Sequence, residues 1–252
     1  MNNFDILSKD ILIELAIELD LPDIINWCRL NKRFDEFTCK SDVFWRRKFI
    51  HDYGDYSKVL GLSWREFYKY VTVTKPNDLL WKGVEKNVLS YVVVALKRGA
   101  NINNIRILFT PLSKASKRGQ LEIVKYLVEQ GGADINFRNG QALGEASYDG
   151  QLEVVKYLVG QGMNDNAVVD QALMYASENG HLEVVKYLVE NGADVRFADD
   201  YALRRASRNG HLEVVKYLVE HGADVHARDN YAVLYAIKEG HQDIVDYLKS
   251  LQ

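Results

Sequence analysis

The chain has 252 residues, of which 47% are hydrophobic and 27% charged, with 32 lysines and arginines against 35 aspartates and glutamates. This composition is typical of a soluble globular protein of one or two domains, and it excludes a disordered or fibrous chain. It lacks the basic excess of a general nucleic-acid binder, and no apolar run reaches the roughly 18 residues that a membrane span needs. Because neither a signal-peptide pattern nor a lipidation motif occurs, we expect a cytoplasmic or nuclear protein that is not secreted and binds neither membrane nor nucleic acid.

Residues 6–49 have the pattern of three short helices. Ser8 is a suitable N-cap for the first helix, whose apolar residues recur at helical spacing. The second helix opens at Asp20-Leu21-Pro22-Asp23, with the proline in its first turn. A third helical segment lies between Phe34 and Phe49. The sequence therefore predicts a small helical domain over residues 1–50.

This segment resembles an F-box through four pieces that occur in the order of that family. They are Leu7-Ser8-Lys9-Asp10-Ile11-Leu12, Leu19-Asp20-Leu21-Pro22-Asp23-Ile24-Ile25, Asn31-Lys32-Arg33-Phe34 and Phe44-Trp45-Arg46. The main departure is Ser8, where the family has a proline that usually touches its adaptor. The resemblance implies a three-helix domain that docks on an SKP-family adaptor. The docking residues it implies are Leu7, Ser8, Ile11, Leu12, Leu15, Leu19, Leu21, Ile24 and Ile25.

Two smaller features of this half have structural interpretations. The triplet Arg46-Arg47-Lys48 is too short for a nucleic-acid patch, so we interpret it as a solvated helix face. Cys28 and Cys39 are too few for a disulfide framework and have the wrong spacing for a metal knuckle. We therefore predict one packed core thiol and one loop thiol, as expected in a reducing compartment.

Residues 51–77 are predicted to be a helical linker. Ser63 and Glu66 have the spacing of a capping box, which predicts a helix that starts there. Pro76 marks a helix stop, because the residue before a proline disfavours helical geometry. Residues 78–252 form the third and largest part of the chain.

The strongest signal in residues 78–252 is an internal repeat. The unit around Gly180-His-Leu-Glu-Val-Val-Lys-Tyr-Leu-Val recurs, with anchoring glycines 30 or 31 residues apart. These glycines are Gly119, Gly150, Gly180, Gly210 and Gly240, and a weaker copy covers residues 88–100. Each unit has the apolar pattern of two short helices that are not stable alone in water. Only stacking of neighbouring units can bury their apolar faces, so the sequence predicts a solenoid.

The repeats resemble ankyrin repeats. Thr110-Pro111-Leu112-Ser113-Lys114-Ala115 matches the family motif, with Thr110 as N-cap and Pro111 at the first helical position. Later units keep the leucine and alanine of this motif. The resemblance implies an all-α chain with about six short repeat units over residues 78–252. Because the period is shorter than the family's, we expect shortened fingers, with irregular turns at 131–133 and 162–167.

Several polar residues recur with the repeat. Asp170, Asp200 and Asn230 are placed as N-caps of the first helices. His181, His211 and His241 are predicted to help start the second helices, because stacked helices lie too far apart for a shared metal. The repeated glutamates, such as Glu183, have a lysine three residues on, which indicates helix-surface ion pairs. No catalytic motif is present, so we predict no catalytic residue, no metal and no cofactor.

Positions that differ between the units are the candidates for recognition, because the constant positions build the stack. In ankyrin proteins such positions line a concave face that binds a partner, and tyrosine and arginine are frequent interface anchors. The predicted target-binding residues are Tyr148, Tyr175, Glu178, Phe197, Arg204, Arg205, Arg208, Tyr231, Tyr235 and Lys238.

Together, the two parts resemble the ankyrin-repeat arrays with an N-terminal F-box that large DNA viruses encode. This resemblance implies a monomeric, non-enzymatic substrate receptor of an SCF-type cullin–RING ubiquitin ligase, with an unknown target protein bound to the repeats. One alternative is an ankyrin scaffold or decoy that sequesters a partner without the ligase, because Ser8 departs from the adaptor-binding pattern. A second alternative is an enzyme or a nucleic-acid binder, which the mixed charges of the variable positions disfavour.

Overall fold

The computed structural model describes residues 8–30, 34–55, 62–163 and 165–251. The chain divides into two compact units, Met1–Asn101 and Ile102–Gln252. Helices dominate both units, and none of the described residues belongs to a strand, in agreement with the predicted all-α fold. Over the same residues, no helix combines the length and apolarity that crossing a membrane would require.

The first unit contains six α-helices within its described residues. They are α1 (Lys9–Ile17), α2 (Leu21–Leu30), α3 (Asp42–Tyr53), α4 (Trp64–Val73), α5 (Pro76–Lys86) and α6 (Leu89–Lys97), with a π-helical turn at Asp35–Cys39. Ser8 caps α1, since its Oγ accepts a hydrogen bond from the Ile11 N–H. The predicted capping box of Ser63 and Glu66 starts α4, and α5 begins at Pro76. Helix starts in this unit therefore follow local sequence signals.

Aromatic side chains form the core of this unit. Phe34, Phe44, Phe49 and Phe67 are completely buried, and Trp45 is 2% exposed. The Trp45 indole donates a hydrogen bond of 3.0 Å to the Cys39 carbonyl, which fixes the π-helical turn against α3. The polar end of the tryptophan is therefore satisfied inside the core.

The prediction of two unpaired thiols is wrong, because Cys28 and Cys39 form a disulfide. Cys28 lies on α2 and Cys39 ends the π-helical turn, and packing of these two segments brings their Cα atoms to 6.2 Å. The two cysteines are 11 residues apart in the sequence, and this spacing does not by itself indicate a disulfide. The disulfide ties α2 to the turn that follows it.

The solvated-face interpretation holds for Arg46 and Arg47 but not for Lys48, which is only 4% exposed. The Lys48 ammonium donates to the Ile17 carbonyl at 2.6 Å and to the Asp52 carboxylate at 2.8 Å. Asp52 also accepts from the Tyr68 hydroxyl. Burial raises the pKa of Tyr68, and the hydrogen bond to Asp52 raises it further. The lysine thus connects α1, α3 and α4 from inside.

The described residues of the second unit form five helix pairs in chain order. The first helices are α7 (Pro111–Lys117), α9 (Phe137–Tyr148), α11 (Asn166–Glu178), α13 (Phe197–Asn209) and α15 (Ala227–Glu239). The second helices are α8 (Leu121–Glu129), α10 (Leu152–Gly160), α12 (Leu182–Glu190), α14 (Leu212–Glu220) and α16 (Gln242–Lys249). Each first helix contacts the first helix of the next pair, and the second helices do the same. This is the predicted solenoid stacking, and the pair α5–α6 lies in the first unit.

Local signals in this unit are also confirmed. Thr110 caps α7, and Pro111 occupies its first position. The repeated glutamate and lysine form ion pairs on the second helices, as between Glu183 and Lys186 at 2.9 Å. Each second helix buries three aliphatic residues at equivalent positions on one face. On α12 these residues are Val184, Val185 and Leu188.

The shortened fingers take the form of left-handed turns. Three consecutive residues at the start of α9, α13 and α15 have positive φ near the left-handed helical region. In α13 these are Ala198, Asp199 and Asp200. Such a conformation costs an ordinary L-residue about 1–2 kcal/mol and is easier for glycine, asparagine and aspartate. By contrast, α11 runs right-handed from Asn166, after the Asp165 side chain caps it.

Ala198→Gly is expected to stabilise the protein by about 1 kcal/mol, because the exposed alanine has φ 53° and glycine removes that strain. Ala167→Gly is the matched control, since Ala167 is exposed on a right-handed helix and should lose about 1 kcal/mol. Urea unfolding followed by helical circular dichroism measures both values. Equal destabilisation by the two changes would contradict the left-handed turn.

The recurring histidines occupy the N-cap positions of the second helices, as predicted, but their side chains make no capping bond and instead link neighbouring pairs. Nε2–H of His181 donates to the Tyr148 carbonyl at 2.9 Å, and His211 donates in the same way to Glu178 at 3.0 Å. Each ring also covers a glycine of the preceding pair. A Cβ added to Gly180 would lie 2.5 Å from Nδ1 of His211. The glycine is therefore required for space as well as for its positive φ.

Asp170 and Asp200 also differ from the N-cap prediction. The Asp170 carboxylate accepts from the Asp194 backbone N–H at 2.7 Å, and Asp200 accepts from Asp224 at the same distance. Each bond joins the start of a first helix to the turn that leaves the second helix of the same pair. Burial raises the pKa of both carboxyl groups, and the donated N–H partly offsets this. We call this hydrogen bond the aspartate clasp.

Candidate protein-binding surfaces

The first helices of the second unit carry all of the predicted target-binding residues, and we call the solvent side of these helices the first-helix surface. Tyr148, Arg208, Tyr231 and Lys238 are exposed on it, and Tyr175, Glu178, Phe197, Arg205 and Tyr235 are half-buried. Arg204 is buried at 7% exposure. The structure thus brings the whole set to one series of helices, with Arg204 buried and the others at least partly exposed.

Arg204 maintains the left-handed turn. Its guanidinium donates to the Asp199 carbonyl through Nε and to the Ala198 carbonyl through Nη2, both at 2.9 Å. These carbonyls belong to the strained residues at the start of α13. Arg204 is buried and donates to two carbonyls of this turn, so it supports the turn of its own helix.

A cleft of about 410 Å³ opens on the first-helix surface between α7, α9 and α11. Gly140 and Gly144 belong to its lining, and they stand where the following unit has Asp170 and Met174. A Cβ on Gly140 would lie 2.3 Å from Cγ1 of Val168, and a Cβ on Gly144 would lie 3.2 Å from Cε2 of Tyr175. The two glycines therefore let side chains of α11 pack close against α9 at this cleft.

Aromatic and charged side chains form the walls of this cleft. The rings of Tyr148 and Tyr175 meet edge to face with centroids 6.3 Å apart. The Lys117 ammonium lies 2.9 Å from the Glu145 carboxylate and 5.1 Å from the centroid of the Tyr148 ring. The hydrogen bond with Glu145 raises the pKa of Lys117. An amphipathic wall of this kind can hold an apolar side chain and orient a polar group beside it.

Further along the same surface, arginines pair with glutamates of neighbouring helices and pack on tyrosine rings. Arg205 lies 3.5 Å from Glu178 and packs on the Tyr201 ring at 4.6 Å. Arg208 lies 3.6 Å from Glu239 and 5.8 Å from the Tyr235 ring centroid. These pairs are partly exposed, so they contribute little stability and are free to exchange partners on binding.

Sequence reasoning missed two glycines that line the cleft, Gly140 and Gly144, and an apolar turn beside it. The turn contains Ile105, Ile107 and Leu108, which are all exposed. The Leu108 carbonyl accepts from both Arg138 and Gln141, which line the cleft. The sequence does contain one indication of the cleft: at two positions this unit has glycine where the following unit has a larger residue.

The predicted adaptor-binding residues divide by exposure. Ile11 and Leu15 on α1 are 44% and 46% exposed, and Ser8 is exposed beside them. Leu19, Leu21 and Ile25 are half-buried, and Leu12 and Ile24 are buried in the core. Leu7 lies outside the described residues. The α1 helix therefore has a buried side and a solvent side on which Ile11 and Leu15 are exposed beside charged residues such as Glu14.

One group of possible metal ligands lies close together within the described part of the chain, namely Cys28, Asp35 and Cys39. Both sulfurs are bonded to each other, and the Asp35 carboxylate lies 2.7 Å from the Lys40 ammonium. In this state the sulfurs have no thiolate to offer a metal.

Comparison with known proteins bears on residues 80–251. A family model described as ankyrin repeats (3 copies) matches residues 80–168, 143–229 and 173–251. These overlapping matches together span more than half of the chain and reach from α5 to α16. No curated protein matches the sequence.

Proposed function

The chain belongs to the ankyrin-repeat family, whose repeats act in protein–protein interaction, and on this premise we propose that it is a non-enzymatic substrate receptor of an SCF-type cullin–RING ubiquitin ligase. In this proposal the N-terminal helices act as an F-box and bind the SKP-family adaptor. The repeats bind a target protein and hold it close to the ubiquitin-conjugating enzyme. The receptor contributes proximity and orientation and no chemical step.

Support for target binding comes from the first-helix surface. Tyr148, Tyr175 and the Lys117–Glu145 pair surround a cleft large enough for one bulky side chain of a partner. Buried aromatic and arginine anchors dominate the energetics of protein interfaces. The surface carries both signs of charge, which suits a protein target better than a nucleic acid.

The single observation that carries the adaptor half of the proposal is the exposure of two aliphatic residues on the solvent side of α1. Ile11 and Leu15 lie four residues apart, so they share one face of the helix, and both are nearly half exposed. The opposite side of α1 buries Leu12, Ile13 and Ala16. Burial of two such aliphatic side chains in an interface contributes about 1–2 kcal/mol each.

The test is a titration of the full chain with a purified SKP-family adaptor. We expect binding that weakens at least tenfold in the double variant Ile11→Ala, Leu15→Ala, because a loss of about 1.4 kcal/mol already has that effect. Val43→Ala is the matched control, since Val43 is an exposed aliphatic residue on α3 outside the predicted set. A folded wild-type chain that does not bind the adaptor would overturn the ligase proposal.

The same titration distinguishes the ligase receptor from the alternative, a scaffold or decoy that does not recruit a ligase. Ser8 occupies the position of the family's proline, and its hydroxyl caps α1. A purely structural N-terminal unit would keep this cap and leave the adaptor unbound. In that case the repeats would sequester their partner without recruiting a ligase.

We place the receptor in the cytoplasm or nucleus as a monomer. Short ankyrin units behind an F-box resemble arrays of large DNA viruses, so the ligase would be a component of a host cell. This part of the proposal depends on the resemblance of the N-terminal helices to an F-box. The adaptor titration therefore tests it as well.

A further inference from the structure

A second cleft lies within the first unit, between α2, the π-helical turn, α3 and α4. Its volume is about 400 Å³. The apolar part of its wall consists of Leu21, Ile25, Trp45 and the Cys28–Cys39 disulfide. The disulfide fixes α2 against the turn, so the cleft is largely preformed.

Three cationic side chains also line this cleft: Arg29 on α2, and Arg65 and Lys69 on α4. All three are exposed, and across the described residues no carboxylate forms an ion pair with any of them. Asp35 is the one acidic residue of the lining, and Lys40 neutralises it at 2.7 Å. The cleft therefore combines an apolar wall with an excess of positive charge.

We propose that this cleft binds an acidic segment of the adaptor, with an apolar side chain inside and carboxylates on Arg29, Arg65 and Lys69. The position of the cleft supports this partner, because Leu21 and Ile25 belong to the predicted adaptor-binding set. The proposal rests on the proposed function for the identity of the partner. The chemistry of the occupant follows from the charge and wall of the cleft alone.

Two other occupants fit the cleft less well. A nucleic acid would offer phosphates to the cations, but stacking of a base needs an accessible aromatic face, and Trp45 is only 2% exposed. A free inorganic anion would use the cations and leave the apolar wall in contact with water. An acidic peptide with an apolar side chain satisfies both parts of the lining.

The first arm of the test measures adaptor affinity with the full chain. Arg29→Gln, Lys69→Gln is expected to weaken adaptor binding roughly five- to tenfold, since two exposed ion pairs are lost, and to reduce its salt dependence. Arg46→Gln, Arg47→Gln is the control, because these exposed cations lie on α3 outside the lining. Unchanged adaptor binding in the Arg29, Lys69 variant, with the Ile11, Leu15 variant impaired, would overturn this inference and leave the proposed function standing.

The second arm is independent of the adaptor. A fluorescent capped peptide with a central leucine flanked by glutamates is compared with its glutamine counterpart by anisotropy. We expect the glutamate peptide to bind the wild type more tightly, and the Arg29, Lys69 variant to lose this preference. Equal binding of both peptides would overturn the inference. Complete displacement of the glutamate peptide by inorganic phosphate, or by a single-stranded oligonucleotide, would also overturn it. Peptide binding without adaptor binding would support the acidic-segment site and overturn the proposed function.

Discussion

Replacement of Lys48 by methionine is expected to lower the free energy of unfolding of the first unit by about 3 kcal/mol. Lys48 is buried, and its ammonium satisfies both the Ile17 carbonyl and the Asp52 carboxylate. Methionine keeps most of the side-chain volume but leaves both acceptors without their donor. Removal of one partner from a buried ion pair costs more than the pair contributes, because the remaining charge is left uncompensated.

Tryptophan fluorescence in urea is a suitable measurement, since all four tryptophans lie within residues 27–81 and report on this unit alone. Arg47→Met is the matched control on the same helix. Its side chain is exposed, so the expected change is within about 0.5 kcal/mol. If the two variants unfolded at the same urea concentration, the buried ion pair would be refuted.

The second large effect is expected at Gly180. Gly180→Ala should destabilise the second unit by about 2–3 kcal/mol, because an alanine must adopt a positive φ and its Cβ displaces the ring of His211. Gly192→Ala should cost only about 1 kcal/mol, since Gly192 has a positive φ but open space around its Cβ position. Helical circular dichroism during denaturation compares the two.

A double variant isolates the contribution of the ring. In a His211→Ala background, Gly180→Ala should cost no more than Gly192→Ala, because the ring that the Cβ displaces is gone. An unchanged cost of Gly180→Ala in that background would show that the histidine does not cover the glycine.

Much of this fold follows from local sequence patterns. The period of the glycines predicted the helix pairs, and the caps at Ser8, Ser63 and Thr110 occur where the sequence placed them. The ion pairs of the second helices also follow from spacing within one helix. Each of these features depends on residues a few positions apart, so a single segment contains the necessary information.

The features that were missed depend on contacts between distant segments. Lys48 belongs to a basic triplet that looks solvated, and only the packing of α1 and α4 on α3 buries it. The pairing of Cys28 with Cys39 requires the π-helical turn to fold against α2. Arg204 was assigned to recognition because it varies between units, yet its guanidinium is used by the left-handed turn beneath it.

The first-helix cleft illustrates a third kind of limit. A glycine in a helix usually predicts a weak helix, whereas Gly140 and Gly144 matter because they let Val168 and Tyr175 approach α9 closely. Their effect becomes visible only when Tyr148 and Tyr175 from successive helices are in place around them.

The aspartate clasp has a further consequence for the helix pair beside this cleft. Asp170 and Asp200 close the pairs α11–α12 and α13–α14, but Gly140 has no side chain with which to close α9–α10. Local opening of α9–α10 should therefore require less free energy than opening of the next two pairs. A partner that fills the cleft would hold this pair shut, so recognition and local folding become linked at the same glycine.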